Sequence, residues 1–233
     1  MSEATDADGI YYDKMNDTLY QLNRTDNVIN AYSNVSSTPT RTATSSSDFF
    51  NGREIAVKGD KLVVTQDAND DNSGNTFYIY IISPTSITLD KKYDTDINLW
   101  GIDANGNTLI SIVDNSNQVS TFDNFFSQET GTIPPTNTVT IEGMVRTHGV
   151  TFDVISGTLF LADIGEASSP TDGAFTIVKN WNDAVADNII SLAEQIRIEG
   201  GATFLGNPVD IAFNPNTEDI YMLLKGLTQV VES

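Results

Sequence analysis

The sequence predicts an all-β protein built from repeated four-stranded antiparallel sheets. Three observations predict it. One strand-turn-strand phrase recurs five times, tight-turn residues punctuate each copy, and further apolar strands follow most copies. The copies are Gly9-Ile10-Tyr11-Tyr12 with 18–23, Glu54-Ile55-Ala56-Val57 with 61–67, and Gly101-Ile102-Asp103 with 108–114. Gly149-Val150-Thr151-Phe152 with 158–163 and Asp210-Ile211-Ala212-Phe213 with 219–224 complete the set.

The two strands of each copy are joined by turn signals at 13–17, Gly59-Asp60, Asn105-Gly106, Ser156-Gly157 and Asn214-Pro215-Asn216. Asn-Gly between apolar runs is a leading hairpin signal, because both residues tolerate positive φ. Third strands are expected at 27–33, 76–83, 119–125 and 173–181, and fourth strands at 40–44, 86–93, 137–142 and 195–199. All are rich in Thr, Val, Ile, Tyr and Phe, which suit a pleated surface. Successive copies begin 45, 47, 48 and 61 residues apart. Four strands at that spacing are the signature of propeller blades, so the expected fold is a β-propeller in one domain. Its blades are expected at 6–48, 49–96, 97–144, 145–204 and 205–233. The longest step contains an insert at 182–193, expected as a loop with a short helix. The fifth copy is unfinished: 227–232 is enough for a third strand only. The ring then closes through a stub at 3–5, through a sixth blade, or through strands shared in a homodimer.

The chain has 233 residues, enough to bury roughly 70% of its unfolded surface. Its net charge is −20, from 32 acids against 12 bases. That balance argues against nucleic acid, whose phosphates demand Lys and Arg, and against an anionic membrane surface. It suits divalent cations or basic partners. With no cysteine, thiol catalysis, disulfides and thiolate metal sites are excluded. Residues 1–8 are polar and acidic, unlike a signal peptide, and no apolar run is long enough to span a bilayer. The sole histidine, His148, has neither a Cys partner for a common zinc site nor a Gly-x-Ser-x-Gly elbow, so no catalytic residue is assigned.

In a propeller, residues just before the first strand and just after the second share one rim. The first column reads Asp8, Arg53, Trp100, His148 and Val209, with Arg146 two residues before His148. The second-strand exits are Asn23, Asp67, Asp114 and Asp163. The expected ligand rim is therefore Asp8, Arg53, Trp100, Arg146, His148, Asp67, Asp114 and Asp163. Glu54, Asn98, Asn207 and Asp210 add oxygen ligands of the kind a hard cation takes, which makes Ca2+ the candidate cofactor. The acidic loop 67–75 partly matches an EF-hand loop, but Asn72 stands where that loop has Gly, and Tyr78 where it has Glu. A second loop on the same face, 163–173, carries Glu166 and Asp172. The pairs Tyr11-Tyr12 and Phe125-Phe126 are expected to pack between blades.

The phrases Gly206-Asn207-Pro208-Val209-Asp210-Ile211-Ala212-Phe213-Asn214-Pro215 and Asp219-Ile220-Tyr221 resemble the NHL and YVTN-type propeller repeats of bacterial surface and exported proteins. The stretch from His148 to Asp153 with that from Gly157 to Asp163 is similar. This resemblance implies a propeller outside the cytoplasm: periplasmic, secreted or at the cell surface. The set Glu54, Asn98, Asn207 and Asp210 more distantly resembles the metal set of propeller lactonases and senescence-marker-like hydrolases, from which it departs in its neighbours Arg53, Arg146 and His148. The leading expectation is a non-enzymatic binding module for a small molecule, glycan or protein. The alternatives are a Ca2+-dependent propeller hydrolase or lactonase, and a structural repeat segment of a larger surface protein.

Overall fold

The computed structural model describes residues 7–68, 74–166, 168–169, 171–203 and 205–224. The first repeat forms β1 (Ala7–Asp13), β2 (Thr18–Asn23), β3 (Val28–Ser33) and β4 (Thr40–Thr44), paired in that order. The second forms β5 (Gly52–Lys58), β6 (Lys61–Gln66), β7 (Asn75–Ser83) and β8 (Ser86–Thr95). The third supplies β9 (Leu99–Asn105), β10 (Thr108–Val113), β11 (Gln118–Phe122), the two-residue β12 (Gly131–Thr132), and β13 (Asn137–Ile141). The fourth forms β14 (Thr147–Asp153), β15 (Thr158–Asp163) and β16 (Ala174–Val178), then β17 (Ile189–Ile190) and β18 (Gln195–Glu199). The fifth is a hairpin, β19 (Pro208–Asn214) and β20 (Asp219–Leu224). The protein is thus an all-β propeller, with four blades, two of four strands and two extended to five by β12 and β17, and a two-stranded fifth repeat among the described residues. The expected third strand at 227–232 and the stub at 3–5 lie outside those residues.

Local chemistry explains the turns. Asp13 accepts from the Met15 N–H at 2.9 Å, Asp153 from Ile155 N–H at 3.0 Å, and Asn214 from Asn216 N–H at 3.1 Å. Each is an Asx turn, the side chain standing in for a backbone carbonyl. Gly59 and Gly106 both take φ of 61°, as the tight hairpins require.

Three expectations need correction. The strand expected at 119–125 stops at Phe122, because Asn124 turns left-handed (φ 51°) and Phe125–Ser127 becomes a single 3-10 turn. The strand expected at 173–181 stops at Val178, and after left-handed Asn180 a helical turn runs Trp181–Ala184. Tyr11 and Tyr12, expected between blades, are 37% and 45% exposed. The insert does hold a short helix, and it also holds β17, which pairs parallel with β13; likewise β12 pairs parallel with β8. Two residues are too few to leave a periodicity, so neither short strand was foreseeable.

The chain packs as two compact units, Met1–Leu109 with Asn124–Pro135, and Ile110–Asp123 with Thr136–Ser233. In the first, Tyr20, Leu22 and Ile29 of one blade bury against Leu62, Val64 and Tyr80 of the next. A second cluster forms around Phe125, whose ring meets Phe77 and Tyr93 edge-on at 5.1 Å each. In the second unit, β19 lies against β14 and β15, and Ile211, Phe213, Ile220 and Met222 close on Phe160, Ala162 and Phe175.

That contact depends on Gly149. A Cβ there would lie 2.8 Å from the Asp210 Cα and 2.9 Å from the Ile211 nitrogen, both backbone atoms. Gly149→Ala is expected to destabilise the protein. Forced displacement of a packed strand costs about 1–3 kcal/mol, against an entropic gain of about 0.4–1 kcal/mol from the stiffer unfolded chain. Urea unfolding checks this: an unchanged or higher midpoint would show that β19 yields without cost.

Candidate functional site

Four of the five positions of the predicted rim column, all but Trp100, fall at β-bulges. Register slips between Ala7 and Gly9 in β1, Gly52 and Ile55 in β5, Thr147 and Gly149 in β14, and Pro208 and Asp210 in β19. The residues left over at the slips are Asp8, Arg53 with Glu54, His148, and Val209. A bulge leaves its extra residue unpaired in the ladder and re-aims its side chain, which is why bulges gather at rims and sites.

In the first unit, Asp8 meets Arg24 at 3.6 Å. The Arg53 guanidinium lies 4.4 Å over the Trp100 ring and 3.5 Å from Asp67, with only 12% and 8% of the Arg53 and Asp67 side chains exposed. The Trp100 carbonyl accepts from the Thr65 hydroxyl at 2.9 Å, which ties β6 to β9. The buried Arg53 Nε has no hydrogen-bond partner among the described residues. Glu54 Oε1 accepts from the Ile55 N–H at 2.9 Å and sits against Gly9, where a Cβ would lie 2.5 Å away. Asn98 accepts from the Asn75 amide at 3.3 Å.

In the second unit, buried His148 places Nε2 4.0 Å from Asp114, which also accepts from the Asn115 amide at 2.7 Å. Asp163 is wholly buried. It accepts from the backbone N–H groups of Val145 (2.9 Å), Arg146 (2.7 Å) and Gly165 (3.2 Å), and pairs with Arg197 at 3.3 Å. Arg146 is partly exposed, with its Nε buried and without a hydrogen-bond partner among the described residues. Asn207 is buried in a left-handed turn (φ 51°), and Asp210 Oδ1 accepts from the Ile211 N–H at 2.7 Å.

The four candidate metal ligands divide between the units: Glu54 and Asn98 belong to the first, Asn207 and Asp210 to the second. Glu54 and Asp210 hold equivalent positions, and each has one oxygen engaged by the next backbone amide. Among the described residues, no group of three or more His, Asp or Glu is arranged to hold a metal. Positions 69–73 of the acidic loop lie outside the described residues. In the other loop, Asp172 accepts from the Glu166 N–H at 3.0 Å and so closes the loop on itself.

Sequence reasoning missed a cleft in the second unit, with a cavity volume of about 410 Å³. Phe160 and Ile177 line one wall, Phe213 and Ile220 the other, and Asp153, Lys179 and Glu218 stand among its lining residues. The Phe160 and Phe213 rings stack with centroids 4.9 Å apart. The Ser156 hydroxyl holds the Asp153 carboxyl below the usual carboxylate range, against partial desolvation and helped by the Ile155 and Ser156 N–H groups, so Asp153 stays ionised. The alternation of Phe160 and Ala162 with Phe175 and Ile177 was the available signal, but it does not reveal how the β19–β20 hairpin closes on that face.

No protein-family model matches the sequence, and no curated protein matches it. Solved structures do, and they are β-propellers. A chain of the nidogen/laminin complex shares 16% identity at a TM-score of 0.63, over 94% of this chain and 72% of its own length. Hydrazine synthase of Kuenenia stuttgartiensis shares 13% at 0.66, over 94% and 55%. Glutaminyl cyclase of Myxococcus xanthus shares 9% at 0.58, over 94% and 85%. Identities this low establish the fold alone.

Proposed function

We propose that this chain is a non-enzymatic propeller module that binds its ligand at the bulged strand starts. The observation that carries this reading is the engagement of the rim carboxylates within the protein. Asp67 braces Arg53, Asp114 faces His148, and Asp163 holds a loop and Arg197. Carboxylates held this way orient their cationic neighbours at the rim. Arg53 on Trp100 offers N–H donors beside an aromatic plane, which suits a glycan, a small acid, or an acidic side chain of a protein. The −20 charge keeps nucleic acid and anionic membrane off the list of partners. A location outside the cytoplasm rests on the likeness of the repeats to NHL and YVTN-type repeats. The fold matches include a chain from a binding complex and two enzymes, so the fold does not choose between classes.

The competing reading is a Ca2+-dependent hydrolase using Glu54, Asn98, Asn207 and Asp210, and thermal unfolding separates the two. A resident cation raises Tm by mass action. The module reading expects no change in Tm with millimolar Ca2+, in wild type or in Glu54→Gln. A rise in wild type that disappears in Glu54→Gln would sink it.

A further inference from the structure

The fourth blade presents an apolar face across its whole width, and the hairpin covers only part of it. In register, Phe160 pairs with Ile177 and Ile177 with Ile196, while Ala162 pairs with Phe175 and Phe175 with Ile198. Cross-strand partners share a face, so Ile196 and Ile198 of β18 continue the surface that packs on the hairpin. Over β14 and β15 that surface is covered by β19. At β18 it is open: Ile196 and Ile198 are 47% and 45% exposed. Their neighbour Arg197 alternates to the other face, where it reaches Asp163 and Thr176. Across the cleft, β20 forms the outer edge of a two-stranded sheet, and among the described residues no strand pairs with that edge. Such an edge displays a row of backbone N–H and C=O groups and is a template for strand addition.

We propose that this recess accepts an extended strand from a partner protein, added beside β20, with apolar residues at alternate positions and basic residues between them. The strand's backbone would pair with β20, and its apolar side would cover Ile177, Ile196 and Ile198. Charge selects the basic partner. Asp153 and Glu218 line the cleft, Asp219 opens β20 and Glu194 precedes β18, while Glu199 pairs with Arg197 on the other face; Lys179 is the sole base among the cleft-lining residues. The chain's own candidates do not supply that charge: 227–232 reads Leu-Thr-Gln-Val-Val-Glu, and β20 reads Asp-Ile-Tyr-Met-Leu-Leu. This surface differs from the bulged rim, and the inference goes beyond the rim reading and stands without it.

The test uses the full chain and a short synthetic peptide alternating valine and lysine, with a valine–glutamate peptide as control. Fluorescence anisotropy is expected to show saturable binding of the lysine peptide, about tenfold or more tighter than the control. Ile196→Ser with Ile198→Ser is expected to weaken it about tenfold, and both sites are exposed enough to leave Tm unchanged. Hydrogen exchange is expected to find the β20 amides that face away from β19 unprotected in the free chain and protected with peptide. Equal binding of both peptides, binding indifferent to the serine pair, or no binding at millimolar peptide would overturn the proposal. So would outward-facing β20 amides already protected in the free chain, whether through its own terminal residues or through a dimer seen by light scattering.

Discussion

Asp163→Ala is expected to lower stability by about 3–5 kcal/mol, the range for breaking a buried ion pair by removing one partner. The wild-type carboxylate is wholly buried and accepts from three backbone N–H groups as well as Arg197. Alanine leaves all four donors without it, and Arg197 keeps its charge with a side chain only 11% exposed. Each stranded amide adds to the loss, because a buried donor without an acceptor loses its hydration and gains nothing. For a domain of this size the corresponding fall in Tm is roughly 6–20 °C. Arg197→Ala is expected to cost much less, since Asp163 keeps its three N–H donors. That asymmetry is the decisive part. If the two substitutions cost the same in chemical denaturation, the backbone bonds of Asp163 contribute little and the residue is better read as a ligand group than as a brace.

Phe125→Ala is expected to cost about 3–5 kcal/mol, as large aromatic truncations in close-packed cores do. The ring is fully buried and makes edge-on contacts with Phe77, Tyr93 and Phe126 at 5.1, 5.1 and 5.3 Å. Each such pair is worth about 0.5–1.5 kcal/mol beyond the area it buries, so a residue with three of them sits near the top of the range. Phe126→Ala, on the rim of the same cluster and under Lys58, is expected to cost less. Equilibrium unfolding in urea measures both. Loss of less than about 1 kcal/mol at Phe125 would mean that the 3-10 turn collapses into the space and the aromatic cluster is not a keystone.

The inner strands of the blades were readable because their signals are local. Alternating apolar residues, Gly at φ of about 60°, and Asp or Asn one position before a turn act within a few residues, and three second strands, 18–23, 158–163 and 219–224, match β2, β15 and β20 end to end. The ends of the third strands were not readable. Apolar runs continue through Phe125 and Trp181, and only left-handed Asn124 and Asn180 stop the strand, a choice made by the cores that take up those two rings. Tyr11 and Tyr12 show the same limit from the other side: their apolar character is plain, yet 37% and 45% of their surface stays exposed.

The candidate site divides along the same line. Aligning the repeats brought Asp8, Arg53, Trp100 and His148 into one column, because a repeat places equivalent residues at equivalent points of each blade. It did not show that the column is bulged at every position but Trp100, that Asp163 is held by Arg197 from a strand 34 residues away, or that Glu54 and Asp210 each turn an oxygen onto their own backbone. Periodicity and turn chemistry act over a few residues and so specify a β-propeller and its repeat frame. Ion pairing, bulge geometry and the open face of β18 depend on groups far apart in the chain, and only packing in three dimensions decides them.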